Sequence, residues 1–514
     1  MKRRWKILIS TVAVLVVVFL IGVVRHYQLR GATEAYIAQL RAQGEPMDLA
    51  QVLPPPVPPE QNSADTIRQA AALMNPNEGW WITNAAGGMK MVAPGKAMVC
   101  SQQPNIRGDT FTDSWQEAQA AIASNKPAFA LLRQITGKPD FDFRINYQDG
   151  FTVFNFTNLC LPEAKRAAER LSTAAIYDLH NGDVTSAVEN VRATLAIAQG
   201  LRDERFVISE LVRMAIAQIA LTVNWEILQS SNLNDQQLAE LQTNWASLDF
   251  VQSAEDAMAM ERVYGQITTA KWRDSSAQLK HDLNLGPEAR EKFGLKPESL
   301  WARAKLVPEI FLWRNWWSYK DQLRALKGDE VLIETVRSLQ TNGSFLDAQL
   351  NQNHALDELG ILKMDRDYDG VPYGEPNFHT LLSESVVSLS PVVERVMRNE
   401  AAKEIVITAI ALKRYQLGHG NYPLDLNELV PEFLAAVPRD PVDGKPLRYR
   451  LNADGTFLLY SIGPNGKDDG GNPALERGVE GSNFYWLNPH ALDWVWPQPA
   501  TPEEIEKFYA NQPR

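Results

Sequence analysis

An uninterrupted apolar run near the N-terminus constrains this chain more than any other feature. The eighteen residues from Ile7 to Val24 contain no charged side chain, and about 20 such residues span a bilayer core as a helix. Four basic residues precede the run, namely Lys2, Arg3, Arg4 and Lys6. Because positive residues favour the cytoplasmic side, we expect a cytoplasmic N-terminus over 1–6, a transmembrane helix over 7–24 and export of the rest of the chain.

A cleaved signal peptide is the alternative interpretation of this run. Signal peptides usually have an apolar region of about 7 to 15 residues that ends at a small-x-small cleavage site. Here the run is longer, and Val23, Val24, Arg25 and His26 stand where such a site would be. The sequence therefore favours an uncleaved anchor in the cell membrane, with the bulk of the chain on the periplasmic side.

The net charge of the exported part argues against one class of partner. Without the four basic residues that precede the apolar run, the chain has 47 basic and 62 acidic residues, a net charge of −15. An acidic surface repels phosphate backbones, and the sequence has no dense basic stripe. We therefore expect no binding to nucleic acid.

Two cysteines, Cys100 and Cys160, lie in the part of the chain that is expected to be exported. A disulfide persists in an oxidising compartment, and two cysteines allow a single bridge. The alternative is a pair of buried thiols. The sequence has no Cys-x-x-Cys pattern, so it gives no support for a zinc site or for thioredoxin-like chemistry.

Composition shifts divide the exported part into segments. Residues 25–59 are predicted to form a helical stalk and a proline-rich linker, in which five of the six residues 54–59 are proline. Such a linker is stiff and extended, so we expect it to hold the next domain away from the membrane. Residues 60–160 combine strand-like patterns at 80–82 and 151–156 with helical spacing at 114–135, which predicts a small α+β region.

Residues 161–392 have the periodicity of a helical domain. Apolar residues recur at helical spacing on both sides of an Asn-Gly-Asp turn at 181–183, which predicts a helical hairpin. A third helix is predicted from about Glu204 to Gln229, and a fourth begins after Asn234, which caps it together with Gln237.

An aromatic segment within 300–326 allows two interpretations. It holds Trp301, Phe311, Trp313, Trp316 and Trp317. The segment could lie in the membrane interface, or it could form an aromatic core, which is the commoner environment of aromatic residues at helical spacing. We favour the core.

Three motifs mark the segment from Glu394 to Asn472. They are Gly-His-Gly-Asn-Tyr-Pro at 418–423, Asp-Pro-Val-Asp-Gly-Lys-Pro-Leu at 440–447 and Tyr-Ser-Ile-Gly-Pro-Asn-Gly-Lys-Asp-Asp-Gly-Gly at 460–471. The segment resembles the globular head of the type II secretion system major pseudopilin. The resemblance implies an α+β domain over 393–483 with a long helix and an antiparallel sheet, whose exposed edge the Trp-rich tail 484–514 is expected to cover.

Two acidic loops are candidate calcium sites. The pseudopilin resemblance implies a site at Ser461, Asp468 and Asp469, with Asn465 where that family commonly has aspartate. A neutral amide is a weaker ligand for a hard cation than a carboxylate. The second loop, with Asp365, Asp367 and Asp369, matches only the first half of an EF-hand, because loop position twelve holds a proline instead of the bidentate glutamate.

The sequence has no recognised catalytic motif, and its seven histidines are scattered. It therefore predicts a mainly α-helical membrane-anchored protein that acts as a non-catalytic, protein-binding component of an envelope or secretion-like assembly, with an envelope protein as its partner. One alternative is an envelope hydrolase with an active site between the helical domain and the head. Another is an atypical accessory pseudopilin, although the pseudopilin processing site is missing from the anchor.

Overall fold

The structure, a computed structural model, describes residues 2–74, 89–108, 112–147, 160–283, 307–340, 343–361, 379–476 and 486–511. It is mainly helical with small sheets, which confirms the predicted fold class in outline. The helices are α1 (Lys2–Ala42), α2 (Leu49–Val52), α3 (Ala64–Leu73), α4 (Trp115–Gln134), α5 (Leu161–His180), α6 (Val184–Gly200), α7 (Val207–Leu228), α8 (Asp235–Ala246), α9 (Phe250–Asp274), α10 (Ser276–Asp282), α11 (Ser318–Ser338), α12 (Phe345–Glu358), α13 (Ser383–His419) and α14 (Pro502–Ala510). The strands are β1 (Met91–Ala93), β2 (Lys96–Ala97), β3 (Ile106–Arg107), β4 (Thr112–Asp113), β5 (Arg448–Leu451), β6 (Phe457–Ser461), β7 (Trp494–Val495) and β8 (Gln498–Pro499).

Helix α1 contains the apolar run and continues well beyond it, over 41 residues in all. The described side chains of the run are exposed to the surroundings, and the helix is long and apolar enough to cross a membrane, a property that it shares with signal sequences. Helix α7 is also long and apolar enough to cross a membrane. However, 72% of its most apolar 18-residue stretch is buried inside the protein. Helix α7 is thus a core helix, and α1 is the candidate membrane span.

The segment after the apolar run is helical to Ala42, as the sequence predicts, but it packs against the rest of the protein. The second half of α1 lies against α11, where the Thr33 hydroxyl donates to the carbonyl of Tyr319 at 3.1 Å. Leu40, Met47 and Leu326 form a small buried cluster at the end of this contact. Apolar residues one turn apart give the polar, alanine-rich sequence a narrow stripe that buries against a partner helix.

The proline-rich linker does not separate the anchor from the domain either. Helix α2, which precedes it, packs against α9, and its Val52 belongs to the main hydrophobic core. Residues 54–58 have no regular helical or strand assignment, as the prolines require. The linker therefore connects two segments that are both packed on the same body.

The helical domain is built as the sequence predicts. Helices α5 and α6 pack as a hairpin across the turn at 181–183, where Gly182 has a φ of +77° and Asp183 accepts a bond from the backbone of Ser186. Helix α8 begins with the predicted capping box, in which Asn234 and Gln237 exchange side-chain to backbone bonds of 2.9 and 3.2 Å. These caps satisfy backbone N–H groups that a helix start leaves without partners.

The long helix of the C-terminal α+β segment extends beyond the predicted boundary at residue 393. Helix α13 runs without a break from Ser383 to His419, where Gly420 ends it in a left-handed conformation. It packs against α7, α8, α9 and α11, and the same hydrophobic core continues on both sides of the boundary. The helical domain and the head thus share one core.

The aromatic segment is partly core and partly in contact with the anchor. Trp313 is fully buried, packs edge-on against Trp272, and donates to Asp321 at 3.2 Å, which confirms the core interpretation for this residue. Trp316 packs against α1. A Cβ atom added at Gly22 of α1 would lie only 3.0 Å from the Trp316 indole ring. Phe311 is exposed, and Trp301 lies outside the described residues.

The head contains the expected antiparallel hairpin, β5 paired with β6 from Arg448–Tyr460 to Leu451–Phe457. The C-terminal tail covers the open edge of this hairpin, as predicted, because β7 pairs with β6. Beyond β7 the tail crosses to the 60–160 region, where β8 pairs parallel to β2 and α14 packs on β1. The C-terminal tail is thereby joined to the region 60–160.

The region 60–160 has the predicted mixed character, with α3, α4 and four short strands among its described residues. Helix α4 follows the predicted helical spacing and is capped by Ser114. The strand-like segments at 80–82 and 151–156 lie outside the described residues.

Docking of α1 on α11 can be tested by proteolysis of the full-length protein in detergent. We expect Leu40→Asn to raise the rate of tryptic cleavage at Arg30 and Arg41 by about tenfold or more, because loss of a buried leucine side chain costs about 2–5 kcal/mol and increases the unwound population. Gln39→Asn, on the exposed side of the same turn, is the control. Equal cleavage of the two variants would indicate a free stalk.

Candidate functional site

The structure places the four candidate calcium ligands of the head on one loop, where each is bound by a protein group. Ser461 is buried and donates to Asp440 at 2.8 Å. Asp468 accepts from the hydroxyl of Tyr460 at 2.9 Å, and Asp469 accepts from the amide of Asn465 at 2.8 Å. The four residues lie near one another, as expected from their positions in the sequence. Calcium binding at this loop stays a prediction.

Sequence reasoning missed the two carboxylates that organise this loop. Asp493, on the tail, accepts from the backbone N–H groups of Gly471 at 2.9 Å and Asn472 at 2.8 Å, and burial raises its pKa to about 6. N–H donors that converge on one point favour an anion there. Asp493 therefore supplies the acceptor for these N–H groups. The sequence of the loop does not show where that acceptor comes from.

Asp440 is the second of these carboxylates and is fully buried at the base of the head. It accepts from the backbone N–H groups of Val442 and Ile462, both at 3.0 Å, and from Arg448 at 2.9 Å. The motif at 440–447 contains this residue, so the signal was present in the sequence. The groups that bind Asp440 lie up to 22 residues away in the sequence, so the sequence did not show that they converge on this carboxylate.

The EF-hand-like residues Asp365, Asp367 and Asp369 lie outside the described residues.

The two cysteines are not bridged in the structure. Both Cys100 and Cys160 are buried thiols, and burial raises the pKa of each. Of the two alternatives that the sequence leaves open, the structure has the pair of buried thiols. Cys100 lies on a short turn whose backbone is held by the buried carboxylate of Glu226, while Cys160 starts α5.

An open groove of about 690 Å³ lies between α1, α11 and α12. Tyr36 of α1 forms one wall, Val331 and Thr335 of α11 form the floor, and Ala355 and Leu359 line the opposite side. The buried side chain of Gln352 also lines the groove, and its Oε1 atom has no hydrogen-bond partner among the described residues.

A network of ion pairs lies behind the groove. Arg262 of α9 is fully buried and binds Glu330 of α11 and, at 2.7 Å, Glu45 from the loop after α1. Arg337 binds Glu45 at 3.1 Å and Glu255 at 2.7 Å. Burial opposes ionisation of Glu45, but hydrogen bonds from the two arginines lower its pKa.

The same network contains the one candidate metal cluster of carboxylates in the described ranges. Oxygens of Glu45, Glu330 and Glu334 lie within 4.8 Å of one another. Two guanidinium groups already supply positive charge at this cluster. The cluster is therefore a set of ion pairs rather than a metal site.

A second, more enclosed cavity of about 110 Å³ lies on the other side of Arg262, between α9, α11 and the start of α13. Two carboxyl groups face it, Glu261 and Asp329, and burial raises the pKa of each to about 7. The hydrolase alternative requires such a site in a cleft between the helical domain and the head. This cavity lies among helices of the helical domain instead.

A scan against models of protein families, a search of curated proteins and a search of solved structures each find no match to this chain.

Replacement of Asp440 tests its role as the hub of the head. We expect Asp440→Ala to lower the free energy of unfolding by about 3–5 kcal/mol, because it removes a buried partner of Arg448 and leaves donors unpaired. Asp454→Ala, in the exposed hairpin turn, should change it by less than about 1 kcal/mol. Urea unfolding of the full-length chain measures both, and similar losses would contradict the assignment.

The buried carboxyl groups predict an unusual dependence of stability on pH. Burial raises the pKa of five carboxyl groups to about 7, those of Glu204, Glu226, Glu261, Asp329 and Glu404. Between about pH 4.5 and pH 7 the folded state therefore binds more protons than the unfolded state, so stability falls as pH rises.

We accordingly expect the Tm of the full-length protein to be highest near pH 5, to decline up to about pH 7.5 and to level off above it. Asp329→Asn removes one of the titrating groups, so its Tm should decline less over this interval. Asp357→Asn, on the exposed end of α12, should follow the wild type. A Tm that rises between pH 5 and pH 7 would refute the assignment.

Proposed function

We propose that this chain is a single-pass protein of the cell envelope whose exported bulk is a non-catalytic binding module held close to the membrane. The observation that carries the proposal is the groove, which is built partly from the anchor helix itself through Tyr36. A binding surface that includes the continuation of the membrane span has a fixed position relative to the bilayer.

The height of the groove above the membrane follows from helix geometry. Tyr36 lies twelve residues beyond the end of the apolar run at Val24, which is ~18 Å at 1.5 Å per residue. Contact of Trp316 with α1 at Gly22 keeps the domain against this helix. A partner that fills the groove would thus approach along the membrane surface.

The shape and charge of the groove favour an amphipathic helix with basic residues. The groove has apolar walls, and its charged lining residues are three carboxylates, Glu330, Glu334 and Glu358, and one lysine, Lys327. A helix is about 10 Å wide. We propose that the occupant is a membrane-proximal segment of another envelope protein.

The head has a separate place in this proposal. Its β5–β6 hairpin after a long helix agrees with what the pseudopilin resemblance implies, and this supports membership of a secretion-like assembly. The missing processing site and the large helical domain between anchor and head argue against polymerisation as a pseudopilin.

Site-specific photo-crosslinking in native membranes tests the groove. A photoreactive residue at Asn351, on the groove, should give a discrete crosslinked species, while one at the adjacent Leu350, which is 68% exposed, should not. Ala355→Trp fills the groove and should reduce this species by about tenfold or more, because a bulky side chain excludes the partner.

Leu350→Trp is the matched control, since it adds an indole to the same helix outside the groove. We expect it to leave the crosslink at Asn351 unchanged. The proposal fails if Ala355→Trp has no effect, or if the crosslinked segment of the partner is acidic or lies far from a membrane span.

A further inference from the structure

One edge of the helical domain lies against the apolar run of α1 itself. The ring centroids of Trp316 and Phe19 are 6.5 Å apart, and the Trp316 indole also packs at Gly22. Both α1 residues belong to the apolar run 7–24. At 1.5 Å per residue this run is ~27 Å long, which is no longer than the hydrocarbon core of a bilayer, ~30 Å. If α1 spans a bilayer, the run has no residues to spare, and the Trp316 indole lies at the depth of the lipid acyl chains.

The described chain before this tryptophan continues toward the middle of the apolar run. After the tryptophan, contacts move up α1 step by step. Tyr319 lies beside His26, with ring centroids 5.1 Å apart, and Leu326 shares a buried cluster with Leu40. The two helices therefore run in the same direction, away from the apolar run. Because the helix is continuous from residue 307 into α11, residues 307–312 extend the opposite way, toward the centre of the bilayer.

This lower part of the helix exposes apolar side chains. Ile310 and Trp313 are buried on the domain, whereas Val307 and Phe311, one turn apart, are 60% and 57% exposed. In the described part of the chain outside α1, no other phenylalanine, tyrosine or tryptophan is exposed. An exposed apolar pair that continues the surface of a membrane span is suited to contact with lipid.

The two charged residues of this segment have partners within the chain. Arg314 donates from Nε to the carbonyl of Arg273 at 2.8 Å, and Glu309 is likewise not free. Both side chains are partly buried. Exposed basic side chains follow where the apolar run ends, at Arg25 of α1 and Lys320 of α11. This order of apolar, aromatic and basic residues matches the order of acyl chains, interface and lipid phosphates.

We propose that residues 307–316 insert beside α1 into the exported-side half of the bilayer, where Val307 and Phe311 contact lipid acyl chains. The domain then has two membrane attachments, the anchor helix and this segment. Two attachments fix the tilt of the domain relative to the membrane surface. The inference rests on the proposed function, since it requires that α1 spans the membrane.

Photo-crosslinking to lipid tests the insertion in the full-length protein, reconstituted in vesicles of phosphatidylcholine and phosphatidylglycerol. A benzophenone amino acid replaces Phe311, and mass spectrometry measures the fraction of protein that gains the mass of one phospholipid. We expect this fraction to be at least about tenfold higher than with the same probe at Leu350, which is exposed on α12. The probe at Leu20, inside the apolar run, is the positive control.

The two control positions distinguish failure of the inference from failure of the proposed function. Lipid adducts at Leu20 without adducts at Phe311 would refute the insertion and leave the membrane span in place. No lipid adduct at Leu20 would refute the span, and with it the proposed function and this inference. A crosslink from Phe311 to a second copy of the chain in place of lipid would show a subunit interface and would also overturn the proposal.

A charge-matched pair of variants tests the apolar contact itself. With the probe at Val307, Phe311→Asp should lower the lipid adduct by about tenfold or more, because a charge at acyl-chain depth disfavours insertion. Leu350→Asp adds the same charge on α12 and should leave the adduct unchanged, as should Phe311→Leu, which keeps an apolar side chain. Since Phe311 is exposed, Phe311→Asp should retain the wild-type Tm in detergent. An unchanged adduct in Phe311→Asp would refute the proposal.

Discussion

The buried guanidinium of Arg262 joins three segments of the described structure, namely α9, α11 and the loop after α1. It holds the loop after α1 through Glu45 and the carbonyl of Pro46, and it holds α11 through Glu330. A buried charge that loses one partner costs about 3–5 kcal/mol, so these segments cannot separate independently. The positions of the anchor, α9 and α11 are thereby fixed relative to one another, and the groove and the enclosed cavity lie on opposite sides of the same side chain.

This arrangement changes how the anchor can work. A flexible stalk would let the domain tumble above the membrane, and each partner would then meet the groove in many orientations. Contacts of α1 with Trp316, Tyr319 and Leu326 instead make the anchor helix one wall of the domain. Under the proposed function, the orientation of the groove would be fixed before a partner binds, which would lower the entropic cost of binding at a membrane surface.

What could be predicted from the sequence was local. The hairpin of α5 and α6, the cap of α8 at Asn234, and the β5–β6 turn all depend on residues a few positions apart, and the structure has each of them. The docked stalk and the tail that crosses to β2 depend on contacts between distant segments. The periodicity of a segment does not identify the element that it packs against. An amphipathic stripe indicates only that one face of the segment is buried.

The candidate site residues divide in the same way, into those that local sequence predicts and those that depend on distant contacts. The sequence identified the loop at 461–469, yet not Asp493, which reaches that loop from 24 residues further along the chain. The sequence did not indicate Glu261 or Asp329 as site residues, since no motif lies near either of them. Only the packing of α9 on α11 brings them to one cavity.

The contrast between the two sides of Arg262 is itself informative. On the groove side, Glu45, Glu255 and Glu330 are matched by two arginines in a buried network. On the cavity side, Glu261 and Asp329 directly precede Arg262 and Glu330 in the sequence, and the charge of Arg262 lowers the pKa of Asp329 against the larger, opposite effect of burial. Both acids are only partly buried, so water can hydrogen-bond to their carboxylate oxygens, which offsets the cost of placing them between helices.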